Sequence, residues 1–372
     1  MVAGEPSGDL LAGLLIKGLT HRWPGAHSFG IGGPRMQAQG FQAWWPCEKL
    51  AVRGYVEVLR HYREIVGIRR QLRKRLLEDK PDVFIGVDAP DFNLDLAHDL
   101  KAQGVPTVHF VCPSIWAWRA DRIEKIRQSV DHVLCIFPFE EALLASHGID
   151  ATYVGHPIAQ AIPMHVDQAQ ARVALGLHGD RPVVALLPGS RASEIDYLAD
   201  RFAKASRHML NAQPELQFVL PAIPSLQSRI EGIVSKHGMS PHIKVLSGQS
   251  HNALAACDVT LIASGTATLE AALFKKPMVI TYNMNWLSWQ MMKRQKLQPW
   301  VGLPNILCQD FVVPELLQEQ ATPVAMADAV LDWLTKPAKI ESLQNRFTQL
   351  HQTLLRDTPQ LAANAIQKVL SR

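Results

Sequence analysis

Two short glycine-containing segments in the second half of the chain have the composition of phosphate-binding loops. They are residues 187–191 (LPGSR) and residues 264–270 (SGTATLE), and each follows an apolar run and precedes a helical pattern. Glycine lets the main chain approach a phosphate closely, and the free N–H groups and dipole of the following helix attract an anion. One such loop is weak evidence, but an ordered pair in one half of the chain predicts a site for a nucleotide diphosphate.

Three side chains in these loops carry functional groups suited to such a ligand. Arg191 can form two hydrogen bonds to a diphosphate and balance the negative charge that grows as a nucleotide leaves. Thr266 adds a hydroxyl donor. Glu270, one helical turn later, can accept hydrogen bonds from ribose hydroxyls or serve only as a charge on the helix surface. The binding candidates in the two loops are Gly189, Ser190, Arg191, Ser264, Gly265, Thr266 and Glu270.

The sequence lacks the patterns typical of several other enzyme classes. No G-x-G-x-x-G stands where a dinucleotide-binding loop is expected, and no G-x-x-x-x-G-K is present, which argues against NAD enzymes and NTPases. The five cysteines are scattered without a C-x-x-C pair, so neither a zinc site nor a disulfide framework is predicted. This cysteine usage indicates a reducing, cytoplasmic compartment.

The first half of the chain contains a carboxylate suited to general-base chemistry. Asp88 follows the apolar run 83–87, so we expect it at the carboxyl end of a buried parallel strand, where doubly wound folds bind ligands. A partly desolvated carboxylate there can take a proton from an attacking hydroxyl. The alternative is that Asp88 or Asp91 caps the next helix. Glu5, in the first helical turn of the chain, can contact a substrate or only complement the helix dipole.

An aromatic segment, residues 113–119 (PSIWAWR), follows the next predicted strand, 107–111. Its tryptophans and Arg119 can line a pocket for a sugar or acyl group, with Trp116 as a candidate contact. The alternative is that the aromatic rings pack beneath a loop. The nearby histidines have no metal-ligand spacing, and no metal site is predicted.

These candidate residues need a scaffold of parallel strands and helices. Near-continuous apolar runs alternate with helical patterns in both halves, which indicates two doubly wound α/β domains with covered parallel sheets. A chain of 372 residues is also longer than one core usually supports. Pro163, Gly176 and Gly179 interrupt the pattern, so we place the interdomain linker and the cleft near residues 156–180. A first strand needs about five residues, so either Met1 is an internal methionine, which we expect, or the first strand is short.

Basic residues are concentrated in one segment, although the net charge is only +4. Residues 53–80 interleave arginine and lysine with apolar residues, which is typical of an amphipathic helix on anionic lipid or nucleic acid, or of a solvated helix face. Arg69, Arg70 and Arg73 are its candidates for membrane contact. Residues 286–294 (WLSWQMMKR) mix tryptophan, methionine and cations as membrane interfaces do, or form a core helix with a basic end. The sequence contains no signal-peptide pattern and no apolar stretch of about 20 residues.

The chain resembles the lipid-A-disaccharide synthase family in motifs that occur in one order along nearly its whole length. They are AGEPSGD (3–9), GGPRMQAQG (32–40), DAPDFN (88–93), PSIWAWR (113–119), LLPGSR (186–191), SGTATLE (264–270) and LPNIL (303–307). The resemblance implies an α/β fold of the GT-B type, with two Rossmann-like doubly wound domains facing each other across a cleft. It also implies an inverting, metal-independent glycosyltransferase without a cofactor, which joins UDP-2,3-diacylglucosamine to lipid X through a β-1,6 linkage and releases UDP.

The resemblance assigns roles to residues already named. The general base of the family falls on Asp88, and its diphosphate-contacting arginine falls on Arg191. Gly265, Thr266 and Glu270 become UDP contacts, and arginine together with a helix dipole replaces a metal ion at the leaving diphosphate. The candidates for substrate and acceptor contacts in the matching motifs are Glu5, Ser7, Asp91, Asn93, Trp116, Arg119 and Asn305.

The resemblance also implies a domain organisation and partners. Residues 1–165 would bind the acceptor and dock on the membrane, residues 166–335 would bind the UDP-sugar, and helices in 336–372 would cross back to an N-terminal domain. The partners would be acylated glucosamine lipids and the anionic inner leaflet of the inner membrane, reached from the cytoplasm, without nucleic acid; a homodimer is allowed. The rival interpretations are another UDP-sugar enzyme of the GT-B type, either a peptidoglycan-type N-acetylglucosaminyltransferase or a UDP-N-acetylglucosamine 2-epimerase, and a non-catalytic peripheral membrane protein.

Overall fold

The computed structural model describes residues 1–4, 6–50, 55–117, 120–284, 289–290 and 297–372, with the backbone alone for residues 6 and 55–62. This part of the chain forms two units, each with its own sheet. The first unit consists of Met1–Gln160 and Thr353–Arg372, and the second of Ala161–Gln352. The chain therefore leaves the first unit once and returns to it with its final residues.

The first unit is built on a seven-stranded sheet in which all neighbouring strands are parallel. Its strands are β1 Val2–Ala3, β2 Phe29–Gly32, β3 Gln42–Pro46, β4 Phe84–Val87, β5 Thr107–Phe110, β6 His132–Cys135 and β7 Ala151–Tyr153. Its helices are α1 Pro6–Arg22, α2 Pro34–Gln37, α3 Tyr55–Asp79, α4 Pro90–Lys101, α5 Arg122–Ser129, α6 Pro138–Ala145 and α7 Pro157–Ala161, with a 3₁₀ turn at Cys47–Lys49. The strand order β3-β2-β1-β4-β5-β6-β7 places β1 between β2 and β4, as expected for a strand that leads into the first helix.

The second unit is built on a six-stranded parallel sheet with the order β10-β9-β8-β11-β12-β13. Its strands are β8 Val183–Leu187, β9 Gln217–Ala222, β10 Ile243–Ser247, β11 Val259–Ala263, β12 Met278–Tyr282 and β13 Glu315–Leu317. Its helices are α8 Gln168–Ala174, α9 Ala192–Ala212, α10 Gln227–Lys236, α11 Ser250–Ala256, α12 Thr266–Leu273, α13 Leu303–Cys308, α14 Pro323–Leu334 and α15 Pro337–Leu354, with 3₁₀ turns at Pro224–Leu226 and Gln318–Gln320. The last helix, α16 Thr358–Leu370, belongs to the first unit.

The predicted parallel strands are confirmed where the sequence is continuously apolar. Every residue of β4, β5 and β6 is buried, as is every residue of β8 and β11, because helices cover both faces of the sheets. Strands β2 and β3 have no such signal. The strand β2 contains two glycines, and β3 is an edge strand with partly exposed tryptophans and a terminal proline.

The basic segment forms the amphipathic helix that its sequence predicts. Ile68, Leu72 and Leu76 in α3 recur every fourth residue, are buried and join the hydrophobic core of the first unit. The opposite face carries the exposed cations, among them Arg63 and Arg70. None of the helices in the described ranges combines the length and the apolar character needed to cross a membrane.

Candidate active site

The first glycine loop lies between β8 and α9 and is wrapped around a glutamate of that helix. Gly189 has a φ of 130°, and a Cβ placed on it would lie 2.5 Å from the Cβ of Glu194. The Glu194 carboxylate accepts hydrogen bonds from the backbone N–H groups of Ser190 (2.9 Å) and Arg191 (3.3 Å). Only glycine fits here, because the loop combines a left-handed conformation with close approach to a side chain.

Arg191 forms an ion pair with the same glutamate. Its side chain is 54% exposed, and its guanidinium donates a hydrogen bond of 3.0 Å to the second carboxylate oxygen of Glu194. Burial raises the pKa of the hydroxyl of Tyr282, at the end of β12; the charge of Glu194 raises it further, and that of Arg191 lowers it. Sequence reasoning missed both Glu194 and Tyr282. The spacing Arg191-x-x-Glu194 resembles a capping box and could have identified the glutamate.

The second glycine loop lies between β11 and α12. Gly265 and Thr266 are exposed at the N-terminus of α12. Ser264 is half-buried, and its hydroxyl donates to the carbonyl of Val301 at 3.3 Å. Since β11 pairs with β8 in parallel, both glycine loops lie at the carboxyl edge of the same sheet. The second unit therefore brings the predicted phosphate contacts to neighbouring strand ends, as doubly wound folds do at their ligand sites.

Glu270 is paired with a histidine that sequence reasoning did not single out. Its carboxylate lies 3.3 Å from Nε2 of His251, which is in the first turn of α11, and this hydrogen bond raises the pKa of His251. The His251 ring in turn packs edge-on against Phe274 at 5.3 Å between ring centroids. Glu270 is thus held by a neighbouring helix and does not extend freely from the surface of α12.

Asp88 lies directly after β4, at the carboxyl edge of the first unit's sheet, and is half-buried. Asp88 and Ala89 are both left-handed, with φ of 52° and 42°, which is uncommon for residues with a Cβ. The backbone N–H of Asp88 donates to the carbonyl of Phe110 at 2.9 Å. Ala89 is the N-cap residue of α4, so the cap position belongs to neither Asp88 nor Asp91.

Asn93 holds the Asp88 turn from inside the unit. It is fully buried, and its side-chain amide donates to the carbonyls of Asp88 (2.8 Å), Val2 (3.3 Å) and Val87 (3.4 Å). Gly86 makes room for it, because a Cβ there would lie 2.8 Å from the Cβ of Asn93. Asn93, predicted as an acceptor contact, therefore binds the main chain that positions Asp88.

Trp116 packs within an aromatic cluster beside α6. The rings of Phe137 and Phe139 lie edge-on at 6.0 and 5.3 Å between centroids. The indole N–H donates to the carboxylate of Glu140 at 2.9 Å. Glu140 is fully buried, and burial raises its pKa to about 7, although the N–H groups of Phe137, Trp116 and Ile136 lower it. These contacts match the packing alternative for Trp116, whose side chain is half-buried.

Two further acceptor candidates lie at the surface of the first unit. Asp91 is 81% exposed and pairs with Arg122 at 2.6 Å. Ser7 is exposed in the first turn of α1.

Asp9, also near the start of α1, is buried and accepts hydrogen bonds from the N–H groups of Gly33 (2.7 Å) and Met36 (3.1 Å). Asp9 thereby joins the first turn of α1 to the GGPRM segment.

Asn305 is buried in the second unit and supports a loop. Its side chain donates to the carbonyl of Val313 (2.9 Å) and accepts from the N–H of the same residue (3.0 Å). It also donates to Glu315 at 2.9 Å, and Glu315 accepts from the N–H of Val301 at 3.0 Å. Because the Val301 carbonyl accepts from Ser264, this network reaches the second glycine loop.

The three arginines predicted to contact a membrane differ in their surroundings. Arg69 pairs with Asp95, and Arg73 pairs with Asp99 at 2.9 Å, both acids of α4. Arg70 is exposed, and among the side chains that the structure describes no ion pair of Arg70 is seen. The charges of Arg69 and Arg73 are therefore neutralised by carboxylates of α4. Of the three arginines, Arg70 is left as the candidate for contact with an anionic membrane.

Several predicted residues lie outside the described part of the chain. They are Glu5, Arg119 and Arg53, together with residues 286–288 and 291–294 of the second candidate membrane segment. Within the described ranges, no three His, Cys, Asp or Glu side chains are grouped as a metal site would require.

Sequence comparison relates the chain to one family. The family model described as "Lipid-A-disaccharide synthetase" matches residues 1–366. A lipid-A-disaccharide synthase of Albidiferax ferrireducens is 66% identical over 375 residues, which cover 100% of this chain and 96% of the relative. A lipid-A-disaccharide synthase of Verminephrobacter eiseniae is 60% identical over 376 residues, covering 100% of this chain and 97% of the relative.

Structural comparison relates the fold to those of an epimerase and a glycosyltransferase. A UDP-GlcNAc 2-epimerase from Neisseria meningitidis, bound to UDP-GlcNAc, has a TM-score of 0.63 at 12% identity, with 98% of this chain and 97% of that chain covered. A glycosyltransferase from Rickettsia africae has a TM-score of 0.60 at 10% identity, with 98% and 96% covered. At these identities the similarity concerns the fold alone, and it confirms the predicted GT-B class with two Rossmann-like units.

Proposed function

The chain belongs to the lipid-A-disaccharide synthetase family, and from this premise we propose that it transfers a glycosyl group between two acylated glucosamine lipids. The residues that carry out the transfer are proposed below. The donor is UDP-2,3-diacylglucosamine and the acceptor is 2,3-diacylglucosamine 1-phosphate. The acceptor's 6-hydroxyl oxygen bonds to C1 of the donor sugar while the bond from C1 to the β-phosphate oxygen breaks. The configuration at C1 inverts, UDP leaves, and the hydroxyl proton passes to a carboxylate.

We propose that Asp88 is this carboxylate. The observation that carries the proposal is the turn that holds it: its N–H is bound by Phe110, its carbonyl is bound by Asn93, and its backbone is left-handed. A strained conformation persists only where surrounding contacts fix it, and such strain is concentrated at functional sites. A general base held at a fixed position lowers the activation barrier, because the carboxylate is already oriented to accept the hydroxyl proton.

The leaving UDP is held by the two glycine loops of the second unit in this proposal. Arg191 contacts the diphosphate, assisted by Gly189 and Ser190, while Gly265 and Thr266 offer donors at the N-terminus of α12 and Glu270 accepts from the ribose. Guanidinium and helix dipoles can supply the charge stabilisation that the departing diphosphate needs. The proposed mechanism therefore uses neither a metal ion nor a cofactor.

We further propose that the first unit attaches peripherally to the anionic inner leaflet, since both substrates carry acyl chains. The support is α3, which buries Ile68, Leu72 and Leu76 and exposes Arg63 and Arg70 on its other side. Cations near an anionic surface contribute about 1 kcal/mol each, so a few of them are enough for reversible attachment.

The assay that tests the function mixes the purified chain with both acylated substrates in detergent micelles and EDTA, and measures UDP and disaccharide together. We expect the two products in equal amounts. Parallel reactions contain unacylated UDP-N-acetylglucosamine as donor, which should not react. Comparable turnover of that sugar, or UDP release without disaccharide, would contradict the proposed glycosyl transfer.

The family resemblance also allows a homodimer, and sedimentation of the same preparation tests for it by measuring the mass of the particle in solution.

A further inference from the structure

The first glycine loop of the second unit already binds an anion of its own chain. The Glu194 carboxylate accepts hydrogen bonds from the N–H groups of Ser190 and Arg191, at 2.9 and 3.3 Å, and from the Arg191 guanidinium at 3.0 Å. These are the donors that the proposed function assigns to the diphosphate. A carboxylate and a phosphate oxygen compete for such donors because both are anionic acceptors.

We propose that Glu194 is an internal competitor of the nucleotide. Its carboxylate occupies the loop donors in the absence of nucleotide, releases them when the UDP-sugar binds, and takes them back as UDP leaves. The inference rests on the proposed function, because it requires the diphosphate to bind at Arg191.

The ion pair between Arg191 and Glu194 is arranged so that replacing the carboxylate by a diphosphate costs little free energy. Arg191 is 54% exposed and Glu194 is 21% exposed, and the two are three residues apart on one helix turn. Partly exposed ion pairs three residues apart on a helix contribute little to stability, so a diphosphate with several anionic oxygens can displace the carboxylate. Glu194 remains attached to α9 after displacement, and its charge then repels the bound nucleotide.

This repulsion acts more strongly on the product than on the donor. The terminal phosphate of UDP carries more negative charge than the same phosphate in a UDP-sugar, where the sugar is esterified to it. A fixed carboxylate nearby therefore weakens UDP binding more than donor binding. The charge also reaches Tyr282 at the end of β12, two strands from β8: burial raises the pKa of the Tyr282 hydroxyl and Glu194 raises it further.

The direction of one affinity change separates this role from a structural one. We expect Glu194→Gln, in the full chain, to bind UDP roughly fivefold more tightly in calorimetry and to be inhibited by UDP more strongly, because one repulsive charge is gone. Uridine, which has no phosphate, should bind with unchanged affinity. A glutamate that only shapes the loop would give the opposite result, weaker UDP binding.

Asp167 provides the matched control. It is the N-cap residue of α8 in the same unit and accepts a hydrogen bond from the N–H of Gln170 at 2.9 Å. Asp167→Asn makes the same change in net charge, and we expect unchanged UDP affinity. If Glu194→Gln does not fold, Glu194→Ala takes its place, because it also removes the carboxylate and its charge; UDP should again bind more tightly.

Unchanged or weaker UDP binding by the folded Glu194 variant would overturn the proposal, and so would an equal gain for uridine. The failure of this inference is distinct from the failure of the proposed function. A wild-type chain that forms disaccharide, combined with a Glu194→Gln variant of unaltered UDP affinity, contradicts only the role of Glu194. A wild-type chain that forms no disaccharide contradicts the proposed function itself.

Discussion

The side-chain amide of Asn93 donates a hydrogen bond of 2.8 Å to the main-chain carbonyl of Asp88. Asn93 belongs to α4, the helix that follows the Asp88 turn. A side chain of α4 therefore fixes the turn from which that helix starts. The same amide reaches the carbonyls of Val2 and Val87 on two neighbouring strands. A fully buried side chain thus sets the position of the proposed base.

We expect Asn93→Ala to lower kcat at least tenfold while the affinity for UDP stays unchanged. The substitution removes the donor that fixes the Asp88 carbonyl, and a displacement of the reacting groups by about 1 Å costs up to 100-fold in rate. Urea unfolding should also show a loss of about 1–3 kcal/mol, because buried carbonyls lose their donor. Asn364→Ala, at an exposed position of α16 in the same unit, is the control that should change neither quantity. A folded Asn93 variant with wild-type kcat would exclude the positioning role.

Glu140 is expected to make stability depend on pH. Burial raises its pKa from 4.5 to about 7, so between these values the folded chain retains a proton that the unfolded chain has lost. The contribution of this group is therefore fully present below pH 4.5 and declines by about 3 kcal/mol as pH rises to 7. We expect the difference in unfolding free energy between the wild type and Glu140→Gln to change by about this amount between pH 4.5 and 7.5. Tryptophan fluorescence in urea measures it, and parallel pH profiles would contradict the assignment.

Vesicle binding should depend on Arg70. We expect Arg70→Glu to reduce co-sedimentation with phosphatidylglycerol-containing vesicles about tenfold at low salt, because each charge near the surface contributes about 1 kcal/mol. Arg69 and Arg73 are unsuitable for this test, since glutamate there would face Asp95 and Asp99 and disturb α4. The matched control is Arg181→Glu, at an exposed position of the second unit. Equal binding by wild type and Arg70→Glu would exclude this face of α3.

Asn305 should behave as a support for the loop and not as a substrate contact. We expect Asn305→Ala to lower the unfolding free energy by about 1–3 kcal/mol, because Val313 and Glu315 lose buried hydrogen bonds. The KM for the acceptor should change less than twofold. Asn252→Ala, at an exposed position of α11, is the control for stability. A stable Asn305 variant with a strongly raised acceptor KM would instead support direct contact.

The sequence predicts the parts of this fold whose signals are local. Continuous apolar runs identify β4, β5, β6, β8 and β11, and the four-residue spacing of Ile68, Leu72 and Leu76 identifies the buried side of α3. The carboxyl ends of these strands then locate Asp88 and the two glycine loops.

Partners that are distant in sequence could not be predicted in this way. Whether Asn93 and Asn305 face a substrate or the main chain depends on which carbonyls tertiary packing brings to their amides. The ion pairs of Arg69 and Arg73 depend on the packing of α3 against α4, and the pairing of Glu270 depends on the position of α11. Glu194 is the exception, because its capping-box spacing is visible in the sequence.

The measurement that tests the account most directly compares the wild type and Asp88→Asn for UDP binding and for disaccharide formation in a single turnover. Asparagine preserves the shape of the side chain but cannot accept the hydroxyl proton. We predict that Asp88→Asn binds UDP with wild-type affinity and forms disaccharide at least 100-fold more slowly, the usual range for loss of a general base. Disaccharide formation by Asp88→Asn at the wild-type rate would contradict the account.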